Sequence, residues 1–188
     1  MIHYIELKKK LRRQYLNSSR KALLIAMLSR SDSYDIYRFL LHLRRYEYLI
    51  TCPTTLLKKL QRFWNLRQYQ TFGKRLGYMI GDGVLGDDVV LYHRGSIFIN
   101  PNARLGPGCK IHGDCCIGVS HTDSRGCPTL GKGVDVGIGA RVLGDIYIAD
   151  DIVIGANAVV TSSFYEPGIT IAGIPARKIK DAPKRETP

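Results

Sequence analysis

Aliphatic residues recur every six positions over the second half of the chain. They are Ile99, Leu105, Ile111 and Ile117, and then, after a gap, Leu130, Val136, Val142, Ile148, Ile154 and Val160. The fourth residue after each aliphatic one is usually small or aliphatic, as in Ala103, Cys109, Val134 and Ala140. A period of six is typical of a β-helix, in which three hexads form one triangular coil and the aliphatic side chains stack inward. Strands of an ordinary half-buried sheet would alternate with period two.

The repeat loses its phase once. The interval from Ile117 to Leu130 is one position longer than two hexads. The intervening segment, 118–129, reads GVSHTDSRGCPT and is polar and rich in turn-forming residues. We therefore expect it to loop out of the coil, where functional residues are often found.

Positions 1–75 follow a helical period instead. Apolar residues recur at helical spacing in two groups, Ile36, Phe39, Leu40 and Leu43, and Leu56, Leu57, Leu60, Phe63 and Trp64. Ser31 and Asp32 are candidate N-caps, and Pro53 with Thr54 marks a break. Glycine is absent before Gly73, which places a boundary near residue 75. The pattern predicts a mainly β protein: an α-helical region over 1–75, a parallel β-helix over 76–180 and a tail over 181–188.

Charge separates the same two regions. The net charge is +12, and positions 1–75 hold 17 Lys and Arg against 4 Asp and Glu, whereas positions 76–188 hold 11 against 12. The basic helical region has three interpretations: a solvated face, contact with an anionic membrane surface beside a lipid-linked glycan, or nucleic-acid binding. No nucleic-acid recognition motif occurs, so we predict no nucleic-acid partner.

The cysteines and the hydropathy of the chain indicate the cellular compartment of the protein. The cysteines are Cys52, Cys109, Cys115, Cys116 and Cys127, an odd number without a C-x-x-C pair, which argues against a disulfide framework and a thiolate zinc site. The longest apolar run, Ala22 to Leu28, is far shorter than the roughly 20 residues that span a bilayer. The start of the chain does not follow a secretory pattern. We expect a cytoplasmic protein, with peripheral contact at the inner membrane face left open.

The segments LYHRGSIFINPNARLGPGCKIHGDCCIGV (91–119) and CPTLGKGVDVGIGARVLGDIYIADDIVIGANAVVTSSFYEPGITIAGIPARKI (127–179) resemble the serine acetyltransferase-like branch of the hexapeptide-repeat acyltransferases. The resemblance covers about 73–180, and its closing stretch is similar to members from capsule and exopolysaccharide gene clusters. It implies a left-handed β-helix and a homotrimer. It also implies that acetyl-CoA lies in the groove between adjacent β-helices and that the acetyl group passes directly to a hydroxyl.

The resemblance assigns His93 as the catalytic histidine. Acetyl transfer requires a group that takes the hydroxyl proton, and a histidine titrating near neutral pH suits that role. His121, in the looped segment, is the alternative, because related galactoside and xenobiotic acetyltransferases take their histidine from such a loop. Tyr92, His112, His121 and Cys127 are candidates for contact with the acceptor. We interpret Cys127 as a loop thiol rather than a nucleophile.

The coenzyme contacts are also carried over from the resemblance. The candidates are Ile138 and Ala156 through their backbone, Thr161, Ser162, Gly173 of the terminal GIPAR turn, and Arg177 with Lys178. Cations directly after the turn suit the phosphates of the coenzyme. Arg177 and Lys178 could alternatively form a solvated helix end.

Three departures from the serine enzyme concern the acceptor. Tyr78 and Tyr92 stand where the family has acidic residues, and Gly126-Cys127-Pro128 replaces an Arg-His-Pro. Without the first carboxylate, Asp82 and Asp114 are candidates to orient His93. These departures favour a sugar hydroxyl of a surface polysaccharide or its precursor over serine, with a non-catalytic trimeric scaffold as a third alternative. The spacings of His93, His112 and His121 do not match the zinc site of the γ-carbonic anhydrases, so we predict no metal.

Overall fold

The computed structural model describes residues 2–16, 20–29, 31–120 and 126–181. The chain divides into two compact units, 1–78 and 79–188. The first is helical and the second contains the repeats. His121 lies outside the described residues, so the structure gives no account of that candidate.

The described part of the first unit consists of the helices α1 (Ile2–Leu16), α2 (Arg20–Leu28), α3 (Asp32–Ile50) and α4 (Leu56–Leu76). None of these helices is long and apolar enough to cross a membrane. The predicted cap at Ser31 is confirmed, because its side chain accepts a hydrogen bond from the backbone N–H of Tyr34 at 3.3 Å. Thr55 caps α4 in the same way through the N–H of Lys58. Gly77, at a φ of 80°, ends α4 in the left-handed conformation that glycine adopts without steric cost.

The core of the helical unit lies between α3 and α4. Phe39 is fully buried and packs edge-to-face against Tyr69 and Tyr78, with ring centroids 6.0 and 5.5 Å apart. The predicted apolar group of α3 is buried, whereas the predicted apolar group of α4, from Leu56 to Trp64, is exposed. The part of α4 that is buried consists of Asn65, Tyr69, Phe72, Gly73 and Leu76.

Short strands make up the described part of the second unit. They are β1 (Tyr78–Ile80), β2 (Val90–Leu91), β3 (Ile97–Ile99), β4 (Arg104–Leu105), β5 (Lys110–Ile111), β6 (Cys116–Gly118), β7 (Thr129–Leu130), β8 (Asp135–Val136), β9 (Arg141–Leu143), β10 (Tyr147–Ile148), β11 (Val153–Ile154), β12 (Val159–Val160), β13 (Ile169–Gly173) and β14 (Ala176–Asp181). In the sheets, β1-β3-β6-β9-β12 is face one, β4-β7-β10 is face two, and β2-β5-β8-β11-β13-β14 is face three. From β2 to β12, successive strands visit the three faces in turn, so the chain winds as a parallel β-helix, and β14 closes it by pairing antiparallel with β13.

The predicted inward stack is confirmed. All ten aliphatic residues of the repeat are at most 4% exposed, and each pairs with its equivalent one coil away. A regular coil contains three hexads, as between Ile99 and Ile117, which are aligned in neighbouring strands. Buried aliphatic area of this kind supplies the main driving force for the fold.

Two insertions lengthen the coils. Leu91 pairs with Ile111, two positions beyond three hexads, because the next inward residue after Leu91 is Ile99, eight positions on instead of six. Leu105 pairs with Leu130, because the predicted loop adds seven positions to three hexads. The inward residues on either side of both insertions stay aligned with their equivalents in the neighbouring coil.

Candidate active site

The turns between the faces stack into edges, and the candidate residues fall on two of them. The histidine edge lies where the strands of face three end. It comprises 92–96, 112–115, 137–140 and 155–158, which lead to face one, and the β13–β14 turn at 173–175, which ends the column. The loop edge joins face one to face two, and its described part comprises 100–103, 119–120, 126–128, 144–146 and 161–163. Each edge is a column of turns, because every turn sits one coil above its equivalent.

His93 occupies the two-residue insertion of the histidine edge. Its φ is 54° and its side chain is exposed. The left-handed region costs a non-glycine residue on the order of 1 kcal/mol, although histidine, asparagine and aspartate enter it more readily than other residues. Such a conformation persists because the surrounding structure holds it. The fold therefore keeps His93 on a strained, outward-projecting turn.

The next coil anchors the turn that carries His93. The carboxylate Oδ1 of Asp114 accepts a hydrogen bond from the backbone N–H of Ser96 at 3.2 Å. Arg141 in turn donates to the backbone carbonyls of Asp114 and, at 2.8 Å, Gly139. Asp114, one of the two carboxylates considered for orienting His93, thus binds the backbone of the same turn.

Tyr92, His112 and Asp135 form a polar cluster beside His93. The rings of Tyr92 and His112 stack, with centroids 4.6 Å apart and planes 13° from parallel. His112 Nε2 lies 3.2 Å from Asp135 Oδ1, and Lys110 Nζ lies 3.8 Å from Oδ2 of the same carboxylate. The ring of Tyr92 also lies 6.4 Å from that of His93. The structure therefore brings together three of the predicted residues, namely Tyr92, His93 and His112.

Sequence reasoning missed Asp135. It stands directly before the inward-facing Val136, and face three aligns it with Lys110 in the coil below. The sequence does indicate that Asp135 lies on the surface of the coil, because a residue next to an inward aliphatic one points outward. The pairing with His112 required the register across the seven-residue insertion.

Three of the predicted coenzyme contacts continue the histidine edge. Ile138 lies one coil beyond Gly113, since the N–H of Gly139 donates to the carbonyl of Gly113 at 3.0 Å. Ala156 lies one coil further, where the N–H of Asn157 donates to the carbonyl of Ile138 at 2.8 Å. Gly173 follows in the last turn. From His93 to Gly173 the edge rises four coils, or about 19 Å at the usual strand spacing.

The terminal turn supplies the predicted cations. Arg177 and Lys178 lie on strand β14 and are exposed, so they do not form a helix end. Lys178 Nζ lies 2.6 Å from Glu166 Oε1 and 3.3 Å from Asp181 Oδ1. The hydrogen bond with Glu166 is the main cause that raises the pKa of Lys178. Two carboxylates already neutralise Lys178, which leaves Arg177 better suited to a phosphate.

The remaining candidates lie on the loop edge of the same chain. Thr161 and Ser162 follow β12 and are exposed. Cys127 is half-buried, and burial, followed by the nearby carboxylate of Asp145, raises the pKa of its thiol. A raised pKa lowers the thiolate fraction at neutral pH, so these surroundings do not activate Cys127 as a nucleophile.

Two of the other cysteines are structural. Cys109 and Cys115 are fully buried in the corner position of the hexad, as the small-residue pattern predicted. Burial raises the pKa of the Cys115 thiol to about 11. Its Sγ lies 3.2 Å from the carbonyl of Gly137 in the next coil. Within the described ranges, no group of three or more His, Cys, Asp or Glu side chains is arranged to hold a metal ion.

Comparison with known proteins finds relatives that are named as acetyltransferases. No family model matches the chain. It is 39% identical over 105 residues to a serine acetyltransferase of Helicobacter pylori, covering 55% of this chain and 50% of that protein. It is 29% identical over 96 residues to a putative colanic acid biosynthesis acetyltransferase, WcaB, of Escherichia coli, covering 50% and 59%. The chain thus spans about half the length of the curated relatives it matches.

Solved structures extend the likeness to most of the chain. The crystal structure of Neisseria gonorrhoeae serine acetyltransferase superposes with a TM-score of 0.64 at 26% identity, over 98% of this chain and 68% of that one. A serine acetyltransferase in complex with CoA gives a TM-score of 0.68 at 19% identity, over 95% and 70%, which is a likeness of fold. The resemblance predicted from the repeats is thereby confirmed: this chain is similar to the serine acetyltransferase-like branch of the hexapeptide-repeat acyltransferases, both in its repeat sequence and in the left-handed parallel β-helix that the repeats form.

Proposed function

We infer that the protein is an acetyl-CoA-dependent O-acetyltransferase in which His93 is the general base. The observation that carries this proposal is the placement of His93 on a strained turn at one end of the histidine edge, in line with Ile138, Ala156 and Gly173. The relatives named as serine acetyltransferases and as an acetyltransferase of colanic acid biosynthesis support the reaction class.

The reaction needs a group that accepts the hydroxyl proton and a surface that binds acetyl-CoA. A neutral imidazole of His93 takes the proton of the acceptor hydroxyl while the hydroxyl oxygen attacks the thioester carbonyl. The C–S bond then breaks, and the imidazolium returns the proton to the departing CoA thiolate. No acyl-enzyme forms, which agrees with the unfavourable setting of Cys127.

Acetyl-CoA would lie along the histidine edge. Its acetyl group would sit at the level of His93, its pantetheine arm beside Ile138 and Ala156, and its phosphates near Gly173 and Arg177. The edge rises about 19 Å between His93 and Gly173, which gives room for an extended arm. The backbone of Ile138 and Ala156 offers polar groups along that path.

We propose that a homotrimer completes the site. Thr161, Ser162 and Cys127 lie on the loop edge, a different corner of the triangular coil from the histidine edge. One chain therefore cannot direct both sets toward one ligand. In a three-fold arrangement, the histidine edge of one copy faces the loop edge of the next, and the two sets then line one groove.

The proposed acceptor is a sugar hydroxyl of a surface polysaccharide or its precursor. The stacked rings of Tyr92 and His112, with the partly exposed carboxylate of Asp135 beside them, offer an aromatic face next to hydrogen-bonding groups. Such a pairing suits a sugar ring, which presents both C–H and hydroxyl groups. A lipid-linked precursor would bring the enzyme to the inner face of the membrane. The alternative acceptor, serine, is favoured by the names of the relatives.

A thiol-release assay tests the proposal. Purified protein is given acetyl-CoA with L-serine or with a panel of sugars, and released CoA is measured. We expect turnover with a sugar, and a loss of about 10²-fold to 10⁴-fold in His93→Asn while the circular dichroism spectrum is unchanged. The control, Asp87→Asn, changes an exposed turn residue between faces two and three, which lies on neither of the two edges, and should keep full activity.

The other outcomes separate the alternatives. Efficient turnover with serine alone would establish the serine acetyltransferase activity instead. Equal thiol release by the wild type and by His93→Asn would remove His93 from the mechanism. An absence of release with every acceptor would leave the non-catalytic scaffold as the better account.

A further inference from the structure

The first half of α4 exposes a continuous apolar stripe. Its members, between 58% and 76% exposed, are Leu56, Leu57, Leu60, Phe63 and Trp64. Their spacing of three, four and seven residues places them on one side of the helix. Soluble proteins rarely leave a contiguous surface of such large side chains in water, so the stripe indicates a binding partner.

The stripe cannot turn into the core of the helical unit, because the opposite side of α4 is already packed against α3. Arg62 fixes this rotation: its Nε donates to the carbonyl of Leu49 at 2.9 Å, and one of its terminal nitrogens donates to the carbonyl of Cys52 at 2.8 Å. Both acceptors are at the C-terminal end of α3, so the arginine also satisfies carbonyls left free there.

Cations border the stripe. Lys59 lies one turn from Leu56 and Phe63, and Arg67 lies one turn beyond Phe63 and Trp64. Helix α4 contains no Asp or Glu, and positions 1–75 carry 17 Lys and Arg against 4 Asp and Glu. The surface therefore combines bulky apolar side chains with a strong positive field.

A cavity of about 390 Å³ opens beside the stripe. It is lined by His42, Arg45, Leu60, Gln61, Trp64 and Asn65. Its lining combines two residues of the stripe, Leu60 and Trp64, with the basic residue Arg45. A phosphate-bearing headgroup would find both apolar contact and a cation there.

We propose that the first half of α4 lies on an anionic phospholipid surface. The stripe inserts at the boundary between headgroups and acyl chains, and Lys59 and Arg67 meet the phosphates. Aromatic and leucine side chains with flanking cations are the composition of helices that lie in the membrane interface. A second copy of the chain is a poorer occupant, because two helical units with the same large positive charge repel each other.

Trp64 provides a direct probe, since it is the chain's one tryptophan. The full chain is titrated with vesicles of phosphatidylcholine alone and of phosphatidylcholine mixed with phosphatidylglycerol. We expect the emission of Trp64 to shift to the blue with the anionic vesicles only, and to be quenched by lipids brominated near the headgroup end of their chains. Raising the salt concentration should weaken the binding, since the charge contribution is screened.

Two double variants separate the apolar and charged contributions. Leu57→Gln with Phe63→Gln should weaken binding by about tenfold or more, because it removes apolar area from the interface. Lys59→Gln with Arg67→Gln should weaken binding to anionic vesicles by roughly thirtyfold, since each cation near such a surface contributes about fivefold. Tyr165→Ser, which removes an exposed aromatic residue of the β-helical unit, is the matched control and should bind as the wild type does.

Three results would overturn the proposal. One is the absence of a Trp64 shift with the anionic vesicles. Another is binding that the Leu57→Gln, Phe63→Gln variant retains in full. The third is a blue shift that grows with protein concentration in the absence of lipid, which would assign the stripe to a second copy. The Leu57→Gln, Phe63→Gln variant is also assayed for thiol release with a water-soluble acceptor. This assay keeps the test of membrane binding separate from the test of the proposed reaction.

Discussion

Nε2 of His112 lies 3.2 Å from Oδ1 of Asp135, although the two are far apart in sequence. The pairing of strands from neighbouring coils of the β-helix explains the contact. His112 follows β5 and Asp135 begins β8, and the two strands are neighbours in face three with Ile111 aligned to Val136. His112 stacks on Tyr92 at the histidine edge, and Asp135 lies beside it on face three, which places a carboxylate two side chains away from His93.

Replacement of Asp135 by Asn should weaken acceptor binding. The change keeps the shape but removes the charge that holds the imidazole of His112. Because both side chains are partly exposed, we expect an effect of about 1 kcal/mol, or roughly fivefold in KM for the acceptor, with little change in kcat. Steady-state kinetics with each substrate varied would measure it. Asp87→Asn, an exposed turn residue between faces two and three, should change neither constant, and an equal effect there would contradict a specific role for Asp135.

Cys127→Ser should keep its acetyl transfer activity within about twofold. Burial and Asp145 raise the pKa of this thiol, so little thiolate is present at neutral pH to attack acetyl-CoA. Rate measurements together with intact mass spectrometry of the wild type under turnover would check this. A loss of several hundredfold in the variant, or an acetyl adduct on Cys127, would show a covalent route that we do not expect.

Gly106→Ala should destabilise the β-helix. A Cβ at Gly106 would lie 2.5 Å from the carbonyl oxygen of Gly131, a backbone atom of the next coil that cannot move aside without spreading the coils. We expect a loss of about 2 kcal/mol or more in the free energy of unfolding, measured by far-ultraviolet circular dichroism in urea. At Gly113 the nearest atom to such a Cβ is 3.9 Å away, so Gly113→Ala is the matched control and should unfold near the wild-type midpoint.

The helical unit should lose stability as the pH falls below about 6.5. Burial is the main cause that lowers the pKa of His42, and the charges of Arg38 and Arg45 lower it further, against the hydrogen bond that its Nδ1 donates to Asn65 Oδ1, which raises it. The unfolded state therefore binds the proton more readily. The stabilisation that His42 contributes is complete above its pKa of 6.5 in the unfolded state. It is lost as the pH falls toward the lower pKa of His42 in the folded state.

Urea unfolding at a series of pH values, for the wild type and for His42→Gln, would isolate this contribution. The variant should show a flatter dependence between about pH 7 and 5, since the carboxylates that titrate lower are common to both proteins. Parallel curves for the two proteins would mean that His42 does not supply the dependence.

The period of six residues is sufficient to predict the architecture of the second unit. A period of six is local, because each hexad needs only an inward aliphatic residue and a small corner residue, and those positions are read directly from the chain. Ile99 and its nine equivalents were identified in this way and are all buried. The cap at Ser31 was equally local, since a cap depends on one side chain and the turn that follows it.

Which turns lie next to each other depends on the pairing of the strands. The two insertions reset the register, so the separation of His93, Ile138 and Gly173 from Thr161 and Cys127, on two edges, emerges only once the strands are paired. The partnership of His112 with Asp135 depends on the same register. The helix predicted from the apolar spacing of α4 is confirmed. Its apolar group from Leu56 to Trp64 is nevertheless exposed, because the side of the helix with Tyr69 and Phe72 packs on α3 instead. Periodicity specifies a helix and its faces, whereas the choice of the buried face depends on which neighbour each face meets.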